Sequence, residues 1–438
     1  MRTIIENGWI LTMDAENTSY RNGYVVFEDD RITGTGAGSC PETDGIRINA
    51  GGKLVIPGMV NTHCHVSMIP FRSMGDDCPD RLRRFLFPLE EKAMTPDLVY
   101  WGALYGIAEM LLSGITTFLD MYYFEDKVAE ACRLAGMRGF LGETVINMKT
   151  CDSPVPYGGL EYGETFIRNW RQDPLVTPLI APHATNTNEP EFLKKAFDLA
   201  EKYDTLFTLH NSEMDYEMTY FADQWHKTPT AFLNDLGVLS DRTVLAHCIH
   251  MTPEDLDILR ERNCSVAHCI GSNTKSGKGV APVKDMRLRN IRVGLGTDGP
   301  SSGNTLSMFT QFRLFASFHK TEHHDRSLFP AKDIFRLGTI GGAEALGIGG
   351  ITGSIEAGKQ ADLVMVDPEA VNMFPCYNPW SALVYSAERS NVDSVWVAGK
   401  QLVKNGALCS LDLGEIRARL LEHMGDFMEK ASEFESII

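Results

Sequence analysis

The sequence predicts a (β/α)8 barrel with a small β-sandwich domain formed from both chain ends. Three observations carry that reading. Eight short apolar runs end in polar residues, and helical patterns lie between them. β-Rich runs near the start have counterparts near the end. The chain, at 438 residues, is long enough for a large barrel plus a satellite.

The elements follow in order. TIIENGWILTM, GYVVFEDDRITGTG and IRINAGGKLVI read as strands broken by Asn-Gly, Asp-Asp and Gly-Gly turn signals. ADLVMVD and SVWVAGKQLVKNG resemble them, so residues 1–56 and 359–412 are expected to pair into one satellite domain. Residues 57–358 form the expected barrel. Its strands are MVNTHCHV, TTFLDMY, RGFLGETV, TPLIAPHA, LFTLHNSE, TVLAHCIH, CSVAHCIGSN and RVGLGTDG. DLVYWGALYGIAEMLLSG and EPEFLKKAFDLAEKYD show the three-to-four spacing of helices. Residues 413–438 form an expected amphipathic helix that packs on the barrel.

Composition narrows the function classes. A hydrophobic fraction of 43% and a charged fraction of 23% describe an ordinary globular chain. The 41 basic and 58 acidic residues give a net charge of −17, which disfavours a nucleic acid partner. Ten scattered cysteines without a CxxC pair read as reduced thiols. The N-terminus lacks the basic start and sustained apolar run of a signal peptide, and no apolar stretch is long enough to span a membrane. A cytoplasmic enzyme with a small-molecule substrate is the expectation, and a homo-oligomer is compatible with it.

In such a barrel the chemistry belongs at the C-terminal ends of the strands. His63 and His65 alternate around Cys64 there, so both imidazoles face one side. His210, His247 and Asp298 end later strands. Imidazole and carboxylate ligands suit one divalent metal, zinc or iron, with water in the open position. Glu213, three residues after His210, is placed to shuttle protons beside such a water.

PGMVNTHCH, LHNSE, LAHC and GTDG resemble the amidohydrolase superfamily, in its cytosine/adenosine-deaminase-like branch. HCHVSMIPFRSMGDD, YWGALYGIAEMLLSGITTFLDMY and GSIEAGKQADLVMVD look like the subgroup of S-adenosylhomocysteine, 5'-methylthioadenosine and adenosine deaminases. The resemblance covers roughly residues 1–410. It implies that His63, His65, His210 and Asp298 bind one metal, that His247 hydrogen-bonds the attacking water, and that Glu213 protonates a ring nitrogen. It further implies that His183 touches the substrate ring, Glu90 holds ribose hydroxyls and Ser302 lies beside the heterocycle. Two-metal relatives carry a lysine at the end of strand four. Here that strand ends in APHATN, which favours a single metal.

The resemblance also has departures. Nucleoside-type relatives commonly have tryptophan where this chain has Arg81, followed by Arg83 and Arg84. These arginines suit either an acidic or carbonyl-rich ligand or a solvated helix face. S-Adenosylhomocysteine users place an arginine near the end of strand three, where an ungapped reading puts Glu143. A carboxylate there would repel the ligand's own carboxylate. ATNTNE after His183 differs from the proline-tyrosine form of these deaminases. Adenosine, 5'-deoxyadenosine or 5'-methylthioadenosine is therefore the expected substrate. The alternatives are a pterin, a guanine-like purine or an s-triazine, or a non-amine leaving group on the same scaffold.

Overall fold

A computed structural model describes residues 1–434. Eight parallel strands, numbered here in chain order, form the barrel. They are β1 (Met59–Cys64), β2 (Ile115–Tyr122), β3 (Arg138–Val145), β4 (Val176–Pro182), β5 (Phe207–Asn211), β6 (Thr243–His247), β7 (Ser265–His268) and β8 (Arg292–Leu295). Each hydrogen-bonds to the next from β1 to β8. Helices cover the outside, so the strands are buried on both faces and read as nearly continuous apolar runs.

The seam between β1 and β8 is stitched mainly by one side chain. The Asn61 carbonyl oxygen accepts from the Thr297 N–H at 2.9 Å, and its amide donates to Thr297 Oγ1 at 2.7 Å. The Asp298 N–H donates to the His63 carbonyl at 3.1 Å. The strands meet closely because Gly294 has no side chain: a Cβ there would lie 2.4 Å from Thr62 Cγ2.

The two chain ends share a separate nine-stranded mixed sheet, the satellite expected from the sequence. Leu54–Pro57 pairs antiparallel with Leu363–Val366, which joins the N-terminal strands to the C-terminal ones. Ile5, Ile10, Phe27, Val55, Leu363 and Trp396 fill its small core. Gly58 alone separates this sheet from β1, and a Cβ on it would collide with Thr116 Oγ1 at 2.1 Å. Arg138, at the start of β3, rivets barrel to satellite. Its guanidinium pairs with Asp362 and also reaches Gln360 and Thr117 Oγ1.

The C-terminal helix runs Leu413–Ser432 and is capped by Asp412, whose carboxylate accepts from the Gly414 and Glu415 N–H groups. It packs on the long helix Pro96–Leu112. Phe427 meets the Phe71 ring edge-on at 4.8 Å between centroids. Residues 435–438, the end of the span assigned to this helix, lie outside the described residues.

Candidate active site

β1 delivers His63 and His65 to the barrel mouth on one side, with ring centroids 4.9 Å apart. Cys64 points the other way, and its thiol donates to Asp120 Oδ1. β5 brings His210, whose Nε2 faces His63 Nε2 at 3.1 Å. One ligand atom from each of the three histidines lies within 4.8 Å of the others. The His65 Nδ1–H donates to the Met121 carbonyl, and its Nε2 lies 3.2 Å from Asp298 Oδ1, within hydrogen-bond reach. Three inward-facing imidazoles and a carboxylate, nearly all hidden from solvent, form a donor set that fits a divalent metal ion. Burial pushes the Asp298 carboxyl up, but the hydrogen bond and charge of His65 outweigh it and hold the group well below the usual carboxylate range.

His247 ends β6 and Asp298 follows the end of β8 by three residues, both in the left-handed region, at φ 69° and 57°. Such conformations are costly for residues with a side chain, and here they turn an imidazole and a carboxylate over the mouth. The His247 Nδ1–H donates to Asn273 Oδ1 at 2.8 Å. Its Nε2 lies 3.6 Å from Glu213 Oε1. Glu213 also receives a hydrogen bond from Lys278 Nζ at 2.6 Å. Burial would raise its pKa, but the charges of His247 and Lys278 bring it down to about 2. The Glu213 carboxyl is ionised before any substrate arrives.

A cavity of about 410 Å³ opens above these groups. Glu90, His183, Ser302 and Arg81 line it together with His65, His210, Glu213, His247 and Asp298. Glu90 is buried, its Oε1 accepts from the Tyr122 hydroxyl at 3.0 Å, and burial raises it to about 7. His183 stands edge-on to Phe87, and burial lowers it to about 4. Arg81 spends its guanidinium on the Ser301 and Met74 carbonyls, at 2.7 and 2.6 Å. Arg83 instead lies over the Tyr216 ring.

Glu143 is not brought to the cavity. Strand alternation turns it outward, where its carboxylate accepts from the Glu125 N–H at 3.1 Å, while its neighbour Thr144 lines the pocket. The expected repulsion between Glu143 and a ligand carboxylate is therefore withdrawn. Sequence reasoning also missed Lys278, Asn273 and Tyr122. Asn273 and Lys278 sit in CIGSNTKSGKG, immediately after β7, where a polar run at the catalytic end of a barrel is itself a signal.

An eight-stranded barrel with a donor set at its mouth that fits a divalent metal has the architecture of a metal-dependent hydrolase. The chain belongs to the amidohydrolase family, whose description matches residues 54–402. It is a hydrolase acting on C–N bonds. It is 36% identical over 427 residues to a 5-methylthioadenosine/S-adenosylhomocysteine deaminase of Syntrophobacter fumaroxidans, covering 95% of this chain and 96% of that one. A 5'-deoxyadenosine deaminase of Methanosarcina barkeri is 35% identical, with 93% and 94% covered. An adenosine deaminase from Xanthomonas campestris, solved with bound zinc, superposes with a TM-score of 0.92 at 29% identity over 98% of both chains.

Proposed function

We propose that this chain deaminates adenosine or an adenosine carrying a small neutral 5' group, such as 5'-methylthioadenosine or 5'-deoxyadenosine, and releases ammonia. The observation that carries the reading is Glu213, held between His247 and Lys278 beside the metal ligands. Zinc is the proposed metal, held by His63, His65, His210 and Asp298. When bound, it lowers the pKa of a water molecule toward neutrality and thereby supplies the nucleophile.

The chain's own residues do the rest. His247, its Nδ1 held by Asn273 Oδ1, presents Nε2 to the attacking water and orients it by a hydrogen bond. Asp298 takes a proton from that water. Glu213, already ionised, takes the second proton of that water as its oxygen adds to the ring and delivers it to the ring nitrogen next to the amine-bearing carbon. Oxygen bonds to that carbon, Asp298 passes its proton to the amine, the C–N bond breaks, and ammonia leaves as the oxygen becomes the ring carbonyl. Glu90, oriented by Tyr122, accepts hydrogen bonds from the ribose hydroxyls. His183 and Ser302 flank the ring.

The cations around the cavity support a neutral 5' group. Arg81 is committed to backbone carbonyls, Lys275 to Asp76 and Lys278 to Glu213. A ligand carboxylate finds none of them free, and Asp76, Asp77 and Asp80 line the same cavity. Ammonia release measured across adenosine, 5'-deoxyadenosine, 5'-methylthioadenosine and S-adenosylhomocysteine tests this. Highest kcat/KM with S-adenosylhomocysteine would overturn the substrate choice.

A further inference from the structure

The helix Met308–Glu322 ends in a run of ligating side chains that the proposed reaction does not use. His319, Glu322 and His323 fall at i, i+3 and i+4, so one face of the last turn carries all three. The His323 N–H still donates to the His319 carbonyl at 3.1 Å, so the helical spacing holds to the end of the run. One ligand atom from each of the three lies within 4.8 Å of the others.

Glu322 and His323 are exposed, but His319 is only 1% exposed. Its ring is walled by Phe315 and Phe329, at centroid distances of 4.1 and 5.5 Å. Its Nε2 faces Nε2 of buried His268, the last residue of β7, at 3.2 Å. Its Nδ1 is buried and has no hydrogen-bond partner among the described residues. An imidazole nitrogen left unpaired in that setting is costly unless something binds it. The carbonyl end of a helix adds a favourable negative potential for a cation.

We propose that His319, Glu322 and His323 form a second metal site, apart from the barrel mouth, that takes one divalent transition metal ion such as zinc. Two imidazoles and a carboxylate suit that ion, and the exposed side leaves a position for water. His319 Nε2 is turned to His268, so ligation falls to Nδ1. The ring proton then resides on Nε2 and is donated to His268 Nε2. Metal binding at the helix end thus fixes the tautomers of a histidine pair that reaches strand β7.

The test titrates zinc ions into protein already loaded at the barrel mouth, followed by calorimetry and metal analysis. Wild type takes up one further equivalent. His323→Ala and Glu322→Gln, both at exposed positions, each weaken that uptake at least about tenfold and leave the barrel metal in place. His63→Ala loses the barrel metal and keeps the helix-end equivalent, so the two sites fail independently. No uptake beyond the barrel equivalent, or further uptake unchanged in both helix-end variants, overturns the proposal.

Discussion

The two ends of the barrel both bury charge, and they treat it in opposite ways. At the N-terminal end, Asp362 uses both carboxylate oxygens. It accepts from Arg138, from the Thr352 hydroxyl at 2.6 Å and from the Ala398 N–H at 2.6 Å. At the C-terminal end, His63 and His210 bury Nδ1 atoms with no partner among the described residues and turn their Nε2 atoms toward each other. The closed network joins barrel to satellite. The open one leaves two Nε2 atoms facing each other, a pair of donors that fits a metal ion. The buried charge of Asp362 is fully paired, whereas the two imidazoles meet nitrogen to nitrogen.

Substitutions at each end can break or sharpen that contrast. The largest effect is expected from His63→Ala. It should lose the barrel metal and all measurable ammonia release while the chain stays folded, as metal analysis and circular dichroism would report. Retained metal would mean that His63 is not a ligand. Glu213→Gln should keep the metal and lower turnover by about 10²–10⁴-fold, since it removes a proton carrier and no ligand. Unchanged kcat would exclude the shuttle role.

At the other end, Asp362→Ala should cost about 3–5 kcal/mol in denaturant unfolding, because it strands the buried Arg138 guanidinium. Metal content and KM of the surviving folded fraction should not move. A change in KM there would mean that the two ends are coupled.

The smallest effect concerns Glu217, whose carboxylate accepts from the Glu213 N–H at 3.3 Å. Burial, with the nearby charge of Glu213, raises it from 4.5 to about 8. Between those values the folded protein binds more protons than the unfolded chain. Stability should therefore fall as pH rises across that window. Glu217→Gln should flatten this part of the profile, so Tm measured at pH 5 and pH 8 should differ less than in wild type.

The barrel was legible because its strands are apolar runs that lead into polar residues, and the period-two alternation put His63 and His65 on one side. The satellite was legible because turn residues punctuate its strands at both ends of the chain. Glu143 and Lys278 were not legible, for different reasons. The alternation that pairs His63 with His65 also decides whether Glu143 or Thr144 faces the cavity, and one residue of uncertainty at the strand end reverses the answer. Lys278 reaches Glu213 from a loop after β7, and the conformation of that loop depends on contacts distant in sequence. Arg81 was legible as a charge near the entrance, whereas its commitment to two backbone carbonyls depends on how the loops fold over one another.

The pairing of Leu54–Pro57 with Leu363–Val366 has a consequence for the chain as it is made. The N-terminal strands leave the ribosome first, but the edge at Leu54–Pro57 gains its neighbour only after residue 366 has been added. That is a delay of ~300 residues, or roughly 15–60 s at ordinary elongation rates. Throughout it, a short apolar edge, Leu-Val-Ile-Pro, stays open to pairing with other chains. The join that closes the satellite in the finished protein is thus a period of exposure during synthesis, and crowding of nascent chains or slow translation of the barrel would lengthen the risk.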